Sequence, residues 1–285
     1  MRPTILVLAV AAAIPLALAQ TGTPNLPSAY IWDGAKKAVW DADARCWEDS
    51  SNVTWYIGLR GRVTERTEAT LGIYSMDDMG ADPIGGQNNS ISAIRISRYR
   101  ALNAQFKVRL NEDDDPAVSL IFGADFPLHK PRGTNRLTGG TAYSRGPIFT
   151  LAIPVQWGDD HSRTTWMLVP KMACFDSLAV VWGDGLIKNF GTVIAIGAGV
   201  IHRLSTHWAI FADITAILDG DNTIDVPTNT VEDEPVWAAG VRWKAGRTTN
   251  VEAFATNAAG PTGATSLIGA PDNSVGFGLR LTSEF

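Results

Sequence analysis

The sequence contains little cysteine, little histidine and no apolar run long enough for a second membrane helix. Cys46 and Cys174 form no Cys-x-x-Cys pair, and the four histidines form no His-Glu-x-x-His motif, so neither a metal site nor any cofactor is predicted. The formal net charge of −5 is mildly acidic, which argues against a nucleic-acid partner.

The N-terminus has the three parts of a secretory signal peptide. Arg2 supplies the positive charge, residues 5–18 are apolar, and Ala17-Leu18-Ala19 is a small-x-small cleavage site. A membrane-spanning helix is the weaker alternative, because a span needs about 20 apolar residues. We therefore expect residues 1–19 to be removed on export and residues 20–285 to form the mature domain. In an exported chain, Cys46 and Cys174 are either one disulfide or two thiols without a role.

Apolar residues recur at every second position through most of the chain. In the last run, the apolar face is formed by Val275, Phe277, Leu279, Leu281, Ser283 and Phe285, with Ser283 as its polar exception. Gly276, Gly278, Arg280, Thr282 and Glu284 form the other face. Long strands with one apolar face and one small or charged face are typical of a barrel wall in lipid. A soluble β-sandwich is the alternative.

The spacing between these runs alternates between long and short, which a sandwich does not explain. The long connections are 126–146, 173–189, 219–234 and 258–273, and the short ones are 111–116, 157–163, 203–205 and 245–249. Outer-membrane barrels have short periplasmic turns and long outer loops. Keeping this alternation requires one unbroken strand over 90–110 and another strand before Val53. Residues 28–40 are the candidate for that first strand, with a helix inside the lumen as the alternative. The prediction is a single, all-β, antiparallel up-and-down transmembrane barrel of about twelve strands.

The C-terminal run resembles the assembly signal of bacterial outer-membrane β-barrels, which end in an aromatic residue. Phe277, Leu279, Leu281 and Phe285 carry this resemblance. It implies a porin-like protein of the bacterial outer membrane, with the lipid bilayer and the barrel-assembly machinery as partners. Residues 255–260, 263–267 and 271–278 also resemble the tails of uncharacterised envelope barrels of cyanobacteria and similar bacteria. Tryptophans near the predicted strand ends suit an interfacial girdle: Trp32, Trp40, Trp157, Trp166, Trp237 and Trp243.

The inward face of the predicted barrel carries many charges, and the basic ones are in excess. Its basic residues are Arg60, Arg62, Lys107, Arg109, Arg242, Lys244 and Arg280, and its acidic residues are Asp125, Asp213, Glu252 and Glu284. This pattern predicts a passive pore for small solutes with a weak preference for anions. The alternative reading of the same residues is a network of buried salt bridges that holds a closed barrel together.

Two other functions remain open at this point. One is a structural or adhesive envelope barrel whose lumen is occluded, for example by an inward-folded loop such as 126–146. The other is a lipid-modifying or proteolytic barrel enzyme, which we do not predict, because His202 and Ser205 lie beside a periplasmic turn. Asp219-x-Asp221-x-Thr223-x-Asp225 has alternating oxygen ligands, but Ile224 and Thr230 break the calcium-loop pattern, which favours a solvated loop.

Overall fold

Twelve antiparallel strands form a closed barrel in the computed structural model. The structure describes residues 38–47, 53–76, 99–112, 115–128, 133–134, 141–142, 147–158, 162–175, 179–181, 187–225, 230–270 and 273–284. The strands are β1 (Val39–Trp47), β2 (Val53–Thr64), β3 (Thr67–Met76), β4 (Tyr99–Arg109), β5 (Ala117–Pro127), β6 (Ile148–Ala152 with Val155–Trp157), β7 (Thr164–Cys174), β8 (Thr192–Arg203), β9 (Trp208–Asp219), β10 (Val236–Lys244), β11 (Thr249–Thr256) and β12 (Gly276–Glu284). Each strand pairs with its neighbours in sequence, and β12 pairs with β1. The predicted fold is confirmed.

Strand β6 consists of two collinear segments, because Pro154 has no N–H to give to the ladder. Backbone bonds on both sides bridge the gap: Ile153 donates to the Pro170 carbonyl at 2.9 Å, and Ser119 donates to the Pro154 carbonyl at 3.0 Å. The wall therefore stays continuous between β5 and β7.

The wall is apolar outside and polar inside, as the period-2 pattern predicts. On β2, Tyr56 and Arg60 are buried inside the barrel, whereas Ile57 and Leu59 face outward and are exposed. Exposed apolar side chains occur around the whole wall, including Leu71, Leu102, Phe106, Phe122, Phe149, Leu151, Ile194, Ile210, Val241 and Leu279. A soluble sandwich would bury such residues. This inverted arrangement is that of a transmembrane barrel.

Connection lengths divide the barrel into a short-turn end and a long-connection end. Strands are joined at the short-turn end by 65–66, 110–116, 158–163, 204–207 and 245–248. They are joined at the other end by 48–52, 77–98, 128–147, 175–191, 220–235 and 257–275. The predicted alternation is confirmed, except that 48–52 is short. Three small two-stranded ribbons extend from the long-connection end: Gly133–Thr134 with Thr141–Ala142, Ala179–Val181 with Ile187–Asn189, and Thr223–Asp225 with Thr230–Glu232.

The first strand lies later in the chain than the sequence indicates. The predicted range 28–40 shares only residues 39 and 40 with β1. The rest of that range lies outside the described residues, so the lumenal-helix alternative there stays a prediction, as does the signal peptide at 1–19. The sequence pattern does not predict a strand at Val39–Trp47, because charged residues occupy its inward positions: Asp41, Asp43 and Arg45. The strand predicted over 90–110 runs without a break from Tyr99 to Arg109, and residues 90–98 lie outside the described part.

The disulfide alternative for Cys46 and Cys174 is wrong. Both thiols are free, with Cys46 on β1 and Cys174 on β7. These strands stand on opposite sides of a twelve-stranded wall, and both side chains lie on its outward face. A disulfide requires Cα atoms within about 7 Å, which this placement does not allow.

Exposed tryptophans ring the outside of the barrel at the short-turn end. Trp157 pairs with Trp166 across β6 and β7, and Trp208 stacks on Trp243 with ring centroids 6.1 Å apart. Trp40 of β1 lies at the same end. Four members of the predicted girdle, Trp40, Trp157, Trp166 and Trp243, thus lie at this end together with Trp208. Trp237 lies at the long-connection end of β10, and Trp32 lies outside the described residues. Among the described residues, no helix is long and apolar enough to cross a membrane.

Candidate functional site

Residues 257–270 fold into the barrel instead of away from it, and we call them the lumenal hairpin. They follow β11, and nearly all of them are buried. Ala258 and Gly269 form a β-bridge, and Ala259 donates to the Ile268 carbonyl at 2.9 Å. Thr262 and Thr265 close the tip, with their hydroxyl oxygens 2.8 Å apart. The segment is therefore a small, internally bonded hairpin inside the lumen.

The tip of the lumenal hairpin reaches the opposite wall. The Thr262 hydroxyl donates to the carboxylate of Asp125 on β5 at 2.9 Å. A Cβ added to Gly263 would lie 2.8 Å from the Thr150 hydroxyl oxygen of β6, so the backbone itself approaches that strand closely. The hairpin is rooted between β11 and β12, which are five or six strands away from β5 and β6 around the barrel. It therefore crosses the full width of the barrel.

Asp125 is the acceptor on which the tip docks. Its carboxylate also accepts a hydrogen bond from the Asn103 amide at 2.6 Å and one from the Tyr74 hydroxyl at 3.0 Å. These donors stand on β4 and β3, and all the groups are buried. Three neutral donors thus converge on one buried carboxylate, and only Thr262 belongs to the hairpin. Hydrogen bonds to a charged acceptor are stronger than neutral ones.

The two arms of the hairpin are held by side chains from elsewhere in the chain. Arg45 of β1 donates to the Ala258 carbonyl at 2.8 Å on the first arm. On the second arm, the Asn222 amide donates to the Leu267 carbonyl at 2.9 Å. The Thr223 hydroxyl donates to the Ala270 carbonyl at 3.1 Å. The neighbouring connection, 220–235, therefore fastens the hairpin at the long-connection end.

Small and aliphatic side chains fill the space between the hairpin and the wall. Leu267, Ile268, Ala259 and Ala264 are buried in one apolar cluster. The wall contributes Tyr56, Tyr74, Ala101, Ile148, Ala173, Val193 and Ala195 to that cluster, and the connection 175–191 contributes Phe175 and Phe190. Phe175 and Phe190 meet edge to face, with ring centroids 6.0 Å apart. The hairpin is therefore packed as a protein core is, which closes the lumen toward the long-connection end.

Nearer the short-turn end, a belt of charged side chains lines seven consecutive strands, β10 to β12 and β1 to β4. The sign of the charge alternates from strand to strand. The members are Arg242, Glu252, Arg280, Asp41, Arg60, Glu68 and Lys107, and we call them the charged belt. The alternation of charge follows from the register of the strands. Glu252 of β11 lies opposite Arg242 of β10 on one side and opposite Arg280 of β12 on the other.

Neighbours in the charged belt are joined by ion pairs. The Arg242 guanidinium lies 2.6 Å from the Glu252 carboxylate, and Arg280 lies 3.9 Å from the same carboxylate. Arg280 also pairs with Asp41. Arg60 and Lys107 each lie 3.6 Å from Glu68. Charges buried in this way need such partners, because an isolated buried charge is very costly.

The predicted pore-lining residues divide into two groups. Arg60, Lys107, Asp213, Arg242, Glu252 and Arg280 are buried inside the barrel, as is Asp125. The remaining members, Arg62, Arg109, Lys244 and Glu284, lie at the short-turn end and are partly or fully exposed. Arg62 and Arg109 there donate to carbonyls of the adjacent turns.

Five charged residues inside the lumen are not among the predicted ones, and they change the balance of positive and negative charge there. They are Asp41, Asp43, Arg45, Glu68 and Lys171. Within the described part of the chain, six acidic and six basic side chains are buried in the barrel. The basic excess counted from the sequence therefore disappears. The wall across from the belt carries one apolar cluster and the buried charged residues Asp125, Lys171 and Asp213. The apolar members on that wall are Ile121, Ala152, Met167, Val169, Ile201, Ala209 and Phe211.

The residues considered for other chemistry have structural contacts. His202 Nδ1 lies 2.8 Å from the Thr164 hydroxyl, and the Ser205 hydroxyl oxygen accepts from the backbone N–H groups of His207 and Trp208. Thr223 of the calcium-like pattern is bonded to the lumenal hairpin. His129 and His161 lie outside the described residues, as does Phe285. Among the residues that are described, no group of three or more His, Cys, Asp or Glu is arranged to hold a metal.

Solved structures share this barrel at low sequence identity. An outer-membrane channel of Pseudomonas putida F1 aligns with 91% of this chain and 99% of its own, at 10% identity and a TM-score of 0.56. The NanC porin aligns with 86% of this chain and all of its own, at 8% identity and a TM-score of 0.53. A FadL homologue of Pseudomonas aeruginosa aligns with 95% of this chain and all of its own, at 10% identity and a TM-score of 0.53. The chain therefore has the fold of bacterial outer-membrane barrels. No family model matches the sequence, and no curated protein matches it either.

Proposed function

We propose that this protein is a channel of the bacterial outer membrane whose lumen is held shut by the lumenal hairpin. The observation that carries the proposal is the crossing of the whole lumen by residues 257–270, from their root at β11 and β12 to Asp125 on β5. The hairpin is a connection between strands and not part of the wall, so it can leave the lumen without breaking a strand pairing.

Three features support the membrane location and the channel. The outward face is apolar, and a tryptophan girdle marks one edge of it. The barrels of similar fold include a porin and a channel. Twelve strands enclose more space than the eight-stranded barrels that side chains alone can fill. In this account, small solutes pass passively when the hairpin is displaced, and the barrel-assembly machinery inserts the exported chain into the membrane.

A variant without the hairpin tests the proposal. Because Ala258 and Gly269 already form a bridge pair, an Asn-Gly turn can replace residues 259–268 without disturbing the base. We expect this deletion variant to give large, sustained single-channel conductance in planar bilayers, whereas the intact protein opens rarely. The matched control places Asn-Gly at Leu204 and Ser205 in the short turn, where it leaves the lumen unchanged.

The second candidate is a structural barrel with a permanently occluded lumen. It is favoured by the ion pairing of the charged belt, a network of buried salt bridges that links neighbouring strands and needs no solute path to explain it. Absence of conductance steps from a folded deletion variant would support this candidate and overturn the channel. Folding is checked by heat-modifiable gel migration and by the β-sheet circular dichroism spectrum, so a silent but misfolded sample is recognised.

A further inference from the structure

We infer that the open lumen admits small polar solutes without net charge, zwitterionic or neutral, and discriminates little between anions and cations. The inference rests on the proposed channel and names the class of solute that it passes. It is carried by the charged belt, which alternates in sign over seven consecutive strands.

The first step is the charge balance of the lumen. Six buried acidic and six buried basic side chains among the described residues leave no net charge along the path. A pore that selects by charge has an excess of one sign at its constriction, as in rings of carboxylates or of guanidinium groups. The described lumen as a whole has no such excess, and the belt alone, with four basic and three acidic residues, differs from balance by one charge. Neither an anion nor a cation therefore has a strong electrostatic advantage over the full length of the lumen.

The second step is the arrangement of the charges. Glu252 lies between Arg242 and Arg280, and Glu68 lies between Arg60 and Lys107, within ion-pair distance of each. Like charges are thus separated by two strands, about 10 Å. The electrostatic potential of such an alternating row decays with distance from the wall, over less than the separation of the like charges. A solute on the barrel axis therefore experiences little potential.

The third step concerns solutes that touch the wall. A monovalent ion there gains from one neighbour and is repelled by the next, whereas a zwitterion can place each of its charges beside the opposite sign. Neutral polar solutes can bond to the same guanidinium and carboxylate groups without a charge penalty. The wall therefore favours molecules that carry both signs or neither.

The experiment uses the full-length chain with the Asn-Gly deletion described above, which supplies an open lumen. Vesicles containing it are loaded with isotopically labelled glycine, glycolate or glycinamide, which are similar in size and carry zero, negative and positive net charge. We expect glycine to leave fastest. We also expect a permeability ratio for K⁺ over Cl⁻ close to one from reversal potentials in a KCl gradient.

Single substitutions in this variant identify the groups responsible. Arg60→Gln is expected to shift the ratio toward K⁺ and Glu68→Gln toward Cl⁻, each by about twofold, as expected for one unit charge about 8 Å from an ion in water. The exchange variant R60E/E68R keeps the pair and the net charge, so its ratio stays near one even if a single variant fails to fold. Lys244→Gln, at the exposed rim, is the control.

The outcomes separate this inference from the proposed channel. Conductance with strong selectivity for either ion, or glycine leaving no faster than the charged solutes, would overturn the inference and leave the channel intact. Absence of conductance from the folded deletion variant would overturn the channel, and the inference with it.

Discussion

The two halves of the lumen contain different kinds of interaction. The charged belt belongs to the wall, and its side chains pair with neighbours on adjacent strands. The lumenal hairpin belongs to a connection and carries no charged residue between 257 and 270. It is held by apolar packing and by hydrogen bonds in which its own groups are neutral, with Arg45 and Asp125 of the wall among its partners. Charges fixed on strands cannot leave without unfolding, whereas a hairpin of small residues can exchange its contacts for water. In the proposed channel, stability therefore comes from the belt and gating from the hairpin.

The largest expected effect comes from breaking the belt. Arg280→Met leaves the buried carboxylates of Asp41 and Glu252 without this guanidinium, which should lower the free energy of unfolding by about 3–5 kcal/mol. Urea unfolding in lipid vesicles measures it. The control is Arg66→Met, whose pair with Glu112 is exposed in a turn and should contribute under about 1 kcal/mol. Equal losses from the two variants would contradict a structural role for the belt.

Removing a buried side chain of the hairpin should act on opening instead. Leu267→Ala deletes fully buried apolar contacts, which should weaken the closed state by about 2–5 kcal/mol. The open probability in single-channel recordings should rise accordingly, and the free energy of global unfolding should change less. Leu204→Ala, in the exposed short turn, is the matched control. If Leu267→Ala instead unfolds the barrel without more opening, the hairpin is part of the fold and not a gate.

A smaller effect on the stability of the closed state is expected from the contact between the hairpin tip and β5. Thr262→Val keeps the shape of the side chain and removes its hydrogen bond to Asp125, which should weaken the closed state by about 1.5–3 kcal/mol. Open probability is again the measured quantity. Thr206→Val removes a hydroxyl from an exposed turn and serves as the control. An unchanged open probability in Thr262→Val would mean that the docking bond does not hold the gate.

The sequence predicted the wall well, because period-2 alternation survives in every strand that buries one face. The prediction was wrong at β1, where the inward positions hold charged residues instead of small ones and the strand pattern is weak. These residues are Asp41, Asp43 and Arg45. The acidic lining is also richer than predicted, because Glu68 of β3 faces inward and is buried. Ion pairing across strands depends on register, which a single sequence does not specify.

The inward position of the hairpin has a signal in the amino-acid composition. Residues 257–271 contain no charge, whereas the other long connection at 219–234 carries six acidic residues. A solvated loop normally contains charged residues, so an uncharged one indicates burial. Most of 126–146, the connection named above as a candidate inward loop, lies outside the described residues. What the composition could not provide was the docking partner, since Asp125 and Thr262 meet only through the closed barrel.

The most direct test of the account is the accessibility of the hairpin within the folded barrel. A cysteine at Ala264, which is fully buried, is introduced after Cys46→Ser and Cys174→Ser remove the native thiols from the outward face. We expect slow labelling by a water-soluble thiol reagent in the resulting variant, and faster labelling when Thr262→Val is added. Immediate and complete labelling of A264C without that second change would show that the hairpin does not occupy the lumen, and would contradict the account.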